Sequence, residues 1–232
     1  MDKETKGFRG WVQAHRIQWG FVLVVILWLI RLLSVLLFPQ WHKPFDIYET
    51  FPFALFLLGW FALLSVGMIG GGIVWLTQTS WEELGWRRQG LVKAIGLGIL
   101  GFILQTVGLM SLVLIQQGAG QPPAYASPSL VRILLVTFFA FGIPAWIEEN
   151  LFRGYLQPLI AQRLNLWVAI IIQAAIFCVA HLGYTTAPLN LVWLFISGLI
   201  FGWLRGRKRS LVAPYLAHAL GWMMMVFGPP AF

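Results

Sequence analysis

Seven long apolar runs, separated by short polar or proline-containing segments, constrain the fold of this chain more than any other feature. A helix that crosses a bilayer needs about 20 consecutive, predominantly apolar residues, and these runs reach or approach that length. The runs occupy residues 17–38, 53–76, 91–116, 131–152, 166–182, 189–204 and 210–228. We therefore predict an all-α fold, a polytopic transmembrane helix bundle of about seven spans.

The composition favours lipid over water as the main solvent of this chain. Hydrophobic residues make up 59% of the 232 residues and charged residues 10%, whereas soluble domains carry roughly 25% charged residues. The formal net charge of +8 would suggest nucleic acid in a soluble protein. Here the basic side chains lie at the ends of the apolar runs, so we expect the lipid bilayer as a partner and no nucleic acid.

The distribution of basic residues predicts the orientation. A cytoplasmic N-terminus satisfies the positive-inside rule, because most of the 16 basic residues then lie inside. These are Lys3, Lys6, Arg9, Arg16, Arg87, Arg88, Lys93, Arg153, Arg163, Arg205, Arg207, Lys208 and Arg209. Arg31 lies deep in the first span, and we expect it to snorkel to the outer interface, the alternative being that it faces the bundle. We expect an integral protein of a bacterial plasma (inner) membrane.

The chain divides into three predicted regions. Residues 1–16 form a polar, cytoplasmic N-terminal segment, and residues 17–130 form spans one to three with their loops. The first apolar run is longer than the apolar region of a signal peptide, so we interpret it as a retained span. Residues 131–228 form a core region, which carries the polar residues described next.

Two adjacent carboxylates close the apolar run of the fourth span. Glu149 and Arg153 are four residues apart, so on a helix they share a face and can pair. Glu148 is rotated from Glu149 by about 100° and is expected to lack that partner. An ionisable group at lipid depth is costly and indicates function. The alternative is a carboxylate pair at a helix end that meets water.

Two histidines lie in later spans. His181 follows Phe177 by one helical turn, and His218 lies in the last span. Either histidine alone would be typical of a hydrogen-bonded core residue. Together with Glu148 they place a carboxylate and two imidazoles in three separate spans. Such a set can hold and deprotonate a water molecule or bind zinc, and either use predicts hydrolysis within the membrane.

These residues resemble the motifs of the CPBP (Abi) family of intramembrane proteases, also called type II CAAX prenyl endopeptidases. The family pattern is Glu-Glu-x-x-x-Arg, then Phe-x-x-x-His, then His-x-x-x-Asn. Glu148, Glu149 and Arg153 match the first motif, Phe177 and His181 match the second, and His218 begins the third. The resemblance covers roughly residues 80 to 228. The chain departs from the pattern at Trp222, which stands where the family has Asn.

The resemblance implies a role for each matching residue. Glu148 would be the general base on a water, His181 would help to hold that water, and His218 would donate to the developing oxyanion. Glu149, Arg153 and Phe177 would support them. The family Asn that Trp222 replaces would help His218 to polarise the carbonyl under attack. Losing one oxyanion donor typically costs about 10²–10³ in rate, so we expect Trp222 to lower the activity. The family has been described both as glutamate-type and as metal-dependent. We favour the metal-free form and assign no metal, with zinc on Glu148, His181 and His218 as the alternative.

The resemblance implies an intramembrane endopeptidase that acts on membrane-tethered substrates, such as prenylated tails or leader peptides. A non-proteolytic scaffold or bacteriocin-immunity protein of the same fold is one alternative, and a small transporter that uses Glu148 and the histidines as a proton relay is another. The expected depths of His181 and Glu148 in the membrane do not agree. At helical rise, His181 would lie about 21 Å into the fifth span, whereas Glu148 would lie near the cytoplasmic third of the fourth.

Overall fold

The computed structural model describes residues 7–37, 58–59, 61–117, 130–182 and 188–224. In these ranges the regular secondary structure is helical, which confirms the predicted all-α fold. The helices are α1 (Phe8–Ala14), α2 (Arg16–Leu37), α3 (Ala62–Trp75), α4 (Trp81–Leu84), α5 (Leu91–Gln117), α6, α7 (Leu166–Val179), α8 (Pro188–Lys208) and α9 (Val212–Met223). Helix α6 consists of five consecutive helical segments, Leu130–Ala140, Phe141–Ala145, Trp146–Glu148, Glu149–Leu156 and Gln157–Ala161.

Four helical stretches in the described ranges are long and apolar enough to cross a membrane. They are Arg16–Leu33, Leu91–Leu112, Ile133–Ala161 and Pro188–Arg207. Two shorter apolar helices, α3 and α7, correspond to the second and fifth predicted spans. Helix α9 occupies part of the seventh predicted span and has 12 residues. The helices support an integral membrane protein, and the number of seven spans stays a prediction.

Helix α6 is the central helix of the bundle. Every residue from 147 to 157 is buried, because α2, α3, α7 and α8 pack against this part of α6. From α2, Leu23 and Leu27 join a core cluster that also contains Phe152 and Leu156 of α6. A sequence of mixed polar and apolar residues is therefore enclosed on all sides, where only paired or hydrogen-bonded polar groups are tolerated.

The prediction that the fourth span ends near residue 152 is wrong, because α6 continues to Ala161. This extension removes the depth conflict between Glu148 and His181. From Glu148 the chain descends about 20 Å to Ala161, turns, and rises about 22 Å from Leu166 to His181 at 1.5 Å per residue. Helix α7 packs against α6, so the antiparallel return brings His181 back to the level of Glu148.

The seven-span interpretation also placed His181 inside a helix, which is incorrect. Helix α7 ends at Val179, and His181 lies in the turn that follows, where its backbone N–H donates to the carbonyl of Cys178 at 3.0 Å. The apolar run continues beyond Val179, so hydrophobicity alone does not indicate that α7 ends there. The turn directs the His181 side chain back toward α6.

Candidate active site

Glu149 is the centre of a buried hydrogen-bonding group. Its Oε1 accepts from Arg153 Nη1 at 3.1 Å, and the predicted pair between these two residues is thus present. The same oxygen lies 2.8 Å from His218 Nδ1. Both Glu149 and Arg153 have fully buried side chains. Glu149 therefore connects α6 to α9 as well as holding its own helix.

Glu148 is also fully buried and has a partner that the sequence analysis assigned elsewhere. Its Oε1 accepts from Nη2 of Arg31, which lies on α2. The expectation that Arg31 snorkels to the interface is therefore wrong, and the alternative that it faces the bundle is correct. As expected, Glu148 does not share the Arg153 partner of Glu149. The alternative of a carboxylate pair at a water boundary is incorrect, because both carboxylates are 0% exposed.

The two predicted histidines lie beside the second oxygen of the Glu148 carboxylate. His181 Nε2 is 3.9 Å and His218 Nε2 is 3.8 Å from Glu148 Oε2. The structure thus brings together the three side chains that the sequence placed in separate spans. The two separations are too long for direct hydrogen bonds.

Hydrogen-bond partners assign the same tautomer to both histidines. His181 Nδ1 lies 2.7 Å from the carbonyl oxygen of Phe177, which can only accept, so this nitrogen carries the proton. His218 Nδ1 faces the carboxylate of Glu149 and is assigned a proton by the same argument. Both rings consequently direct their other nitrogen, Nε2, toward Glu148 Oε2.

Trp222, the residue that departs from the family pattern, contacts this group directly. Its indole Nε1 donates to His218 Nε2 at 3.1 Å. Because an indole nitrogen is a donor only, the contact supports an unprotonated Nε2 on His218. The Trp222 ring packs edge-on against Phe139, with ring centroids 5.5 Å apart. Trp222 therefore occupies the site as a hydrogen-bond donor.

Aromatic rings enclose the imidazoles and the buried guanidinium. The Phe177 ring lies 4.6 Å from the ring of His181, and Arg153 Cζ lies 4.2 Å from the Phe177 centroid. Phe201 of α8 stacks on His218 with ring centroids 4.8 Å apart and an interplanar angle of 19°. The sequence analysis identified Phe177 and missed Phe201, which belongs to none of the three motifs.

The buried charges of the site balance one another. Two carboxylates, Glu148 and Glu149, face two guanidinium groups, Arg31 and Arg153. Hydrogen bonding is incomplete, because in the described ranges Glu148 Oε2, Glu149 Oε2, Arg31 Nη1 and Arg153 Nε are buried without a partner. A buried carboxylate oxygen without a donor costs free energy, so Glu148 Oε2, which lies beside both imidazoles, indicates a functional position.

The donor set has the chemistry of a zinc site but not its arrangement. Ligand atoms of a tetrahedral zinc are about 2.0–2.2 Å from the metal and therefore about 3.4 Å from each other. The Nε2 atoms of His181 and His218 are farther than this from Glu148 Oε2. The lone pair of His218 Nε2 is also occupied by the Trp222 indole. In the described ranges no group of three or more His, Cys, Asp or Glu residues is placed to hold a metal ion.

Two further contacts support the site and were missed by the sequence analysis. Asn150 is fully buried, and its Oδ1 accepts from Trp86 Nε1 at 2.8 Å. Trp28 of α2 donates from Nε1 to the carbonyl of Leu182, the residue after His181, at 2.9 Å. Interfacial belts account for many tryptophans in membrane proteins, so composition alone did not distinguish these two.

Comparison with known proteins gives a family match in the second half of the chain. Residues 128–224 match the family model described as type II CAAX prenyl endopeptidase Rce1-like. The resemblance drawn from the three motifs is thus confirmed for this segment, and the family is one of proteases. The segment contains Glu148, His181 and His218, and leaves α2, α3 and α5 outside it. No curated protein and no solved structure matches the chain.

Proposed function

We propose that this chain is an intramembrane endopeptidase that hydrolyses a peptide bond in a membrane-tethered substrate with Glu148 as the general base. The observation that carries the proposal is the unpartnered Glu148 Oε2, which lies 3.9 Å from His181 Nε2 and 3.8 Å from His218 Nε2. A carboxylate oxygen and an imidazole nitrogen at this spacing can each accept one hydrogen of the same water molecule.

The proposed reaction needs only this chain and water. A water molecule donates one hydrogen bond to Glu148 Oε2 and one to His181 Nε2, which directs a lone pair of its oxygen outward. The water oxygen attacks the carbonyl carbon of the peptide bond while its proton passes to Glu148. When the tetrahedral intermediate collapses, Glu148 returns the proton to the leaving amine. Atoms and charge balance without a cofactor.

The remaining residues of the site position this machinery. Arg31 holds the other oxygen of Glu148, and Phe177 fixes the His181 tautomer through its carbonyl oxygen. Glu149 holds His218, whose two ring nitrogens are then both engaged. His218 therefore has no N–H left for an oxyanion in this arrangement. We assign His218 instead to positioning the site, through its contacts with Glu149 and Trp222.

The site lies on α6, which includes one of the apolar stretches long enough to span a bilayer. We therefore propose that its substrates are tethered to the membrane. We propose prenylated tails or leader peptides as substrates and a bacterial inner membrane with a cytoplasmic N-terminus as the location. The orientation rests on the distribution of basic residues.

A non-proteolytic scaffold of the same fold is the second candidate. The observation in its favour is Trp222 in place of the family Asn. The indole donor of Trp222 in contact with His218 weakens this argument, because the position still supplies an N–H group to the site. The two candidates differ in whether Glu148 is needed for bond cleavage or only for stability.

Purified protein in detergent or proteoliposomes tests the proposal. The probe is an internally quenched peptide that ends in a prenylated Cys-aliphatic-aliphatic-X sequence, and the comparison is wild type against Glu148→Gln. We expect cleavage by the wild type and a loss of at least about 10³-fold in the variant, and we expect chelators to leave the wild-type rate unchanged. Equal rates in the two proteins would favour the scaffold, and chelator inhibition reversed by zinc would overturn the metal-free mechanism.

A further inference from the structure

We propose that Arg31 is a catalytic residue whose second amino group, Nη1, binds the carbonyl oxygen under attack and stabilises the oxyanion. This inference rests on the proposed function. Arg31 lies on α2, outside the matched segment 128–224. The proposal therefore places oxyanion stabilisation on a helix that the family match does not include.

Helix α2 contacts both halves of the site. Arg31 reaches Glu148 on α6, and Trp28 reaches the backbone immediately after His181. These two residues are three apart and therefore lie on one face of α2. The same helix is fixed in the bundle by Leu27, which is 1% exposed in the core cluster around α6. The contacts of Leu27 and Trp28, in the turn before Arg31, thus help to fix its position beside Glu148.

The other N–H donors that contact the reacting groups are already used. The His181 donor goes to the carbonyl of Phe177, and the His218 donor goes to Glu149. The Trp222 indole donates to His218 Nε2. A peptide oxyanion needs at least one donor in a site shielded from water, and these three N–H groups do not supply it in the described part of the chain.

Arg31 has such a donor. Its Nη2 is engaged with Glu148, while Nη1 is buried and has no hydrogen-bond partner in the described part of the chain. Because the guanidinium is planar and rigid, fixing one amino group also fixes the direction of the other. Arg153 has a comparable unpartnered nitrogen, Nε. However, Arg153 pairs with Glu149 and is packed between the rings of Phe177 and Phe201.

The combination is chemically suited to peptide hydrolysis. An unpartnered acceptor, Glu148 Oε2, and an unpartnered cationic donor, Arg31 Nη1, lie in one buried site and are joined through the Arg31–Glu148 pair. The acceptor takes the proton of the attacking water, and the donor neutralises the negative charge that forms on the carbonyl oxygen. The guanidinium keeps its protons throughout, since arginine stays charged in proteins.

The decisive variant is Arg31→Lys. Lysine keeps the positive charge beside Glu148 but carries a single nitrogen, which cannot hold the carboxylate and also offer the fixed second donor of a guanidinium. We expect kcat on the prenylated peptide to fall about 10²–10³-fold, with KM within about threefold of wild type. Arg16→Lys is the matched control, since Arg16 lies on the same helix and donates to Thr79 at 2.6 Å, away from the site. It should retain wild-type kcat.

A rescue experiment covers the possibility that Arg31→Lys does not fold. Arg31→Ala is assayed with millimolar methylguanidinium and, separately, with methylammonium of equal charge. Restoration of kcat by methylguanidinium alone supports the proposal, whereas equal restoration by both ions, or by neither, overturns it. Wild-type kcat in a folded Arg31→Lys protein overturns it as well. If wild type cleaves no faster than Glu148→Gln, the proposed function itself fails and the role of Arg31 falls with it.

Discussion

The buried Glu149–Arg153 pair makes a quantitative prediction about stability. Both side chains are 0% exposed, so neither charge is screened by water. Replacing Glu149 with Gln leaves the Arg153 guanidinium without its counter-charge. Replacing Arg153 with Met leaves the Glu149 carboxylate without its counter-charge. Removing one partner of a buried ion pair typically costs about 3–5 kcal/mol. Each single variant should therefore lose about that much free energy of unfolding.

The double variant Glu149→Gln/Arg153→Met should lose less than the sum of the two single losses. It contains neither uncompensated charge, and replacing a whole buried pair by groups of similar volume is often close to neutral. We expect a coupling free energy of at least about 3 kcal/mol, at or above the upper end of values for residues in contact. Met also preserves part of the packing of Arg153 between Phe177 and Phe201.

The assay is unfolding of the wild type, both single variants and the double variant in mixed micelles, followed by tryptophan fluorescence as denaturing detergent increases. A double-mutant cycle isolates the coupling between the two side chains. Glu82→Gln is a suitable control, because the Glu82 side chain is 77% exposed, and it should leave stability unchanged. If the loss in the double variant equals the sum of the two single losses to within about 0.5 kcal/mol, the reasoning is refuted. The stabilities of the two charges would then be independent of each other.

Two further predictions follow from contacts around the site. Trp86→Phe removes the indole donor to the buried Asn150 Oδ1 and should lower the free energy of unfolding by about 1–3 kcal/mol, which the same unfolding assay measures; an unchanged midpoint would mean that Asn150 finds another donor. Gly198→Ala would bring a methyl group 2.9 Å from Ala174 Cα, so it should destabilise the protein by about 1–3 kcal/mol. Gly96→Ala meets no atom within 4 Å and should be neutral or stabilising; equal effects of the two alanines would contradict the tight packing of α7 on α8.

The helix bundle could be predicted from the sequence because apolar length is a direct requirement of the bilayer. The ends of helices were less predictable. Hydropathy does not identify Ala161 as the end of α6, because the apolar run stops earlier. Residues 147–157 mix polar and apolar side chains, yet all of them are buried by neighbouring helices. The extent of α6 depends on long-range packing, which hydropathy along one segment does not contain.

The site could be predicted in part for a related reason. Glu148, His181 and His218 were identified because ionisable residues in apolar runs are rare and costly. The same rule applied to Arg31 predicts that it faces the bundle, but a long basic side chain can also snorkel to the interface. Sequence spacing gives the angular position of a residue on its own helix. It does not give the rotation of α2 relative to α6, which decides that Arg31 meets Glu148.

The central claim is that Glu148 cleaves peptide bonds, and quantitative proteomics of protein termini in cell membranes tests it most directly. Cells carrying the wild type are compared with cells carrying Glu148→Gln at matched expression, and Glu82→Gln serves as the exposed carboxylate control. The account predicts that defined peptide termini disappear in Glu148→Gln cells and persist in Glu82→Gln cells, and those termini identify the substrates. Termini that are identical in all three strains would contradict the account and leave Glu148 with a structural role.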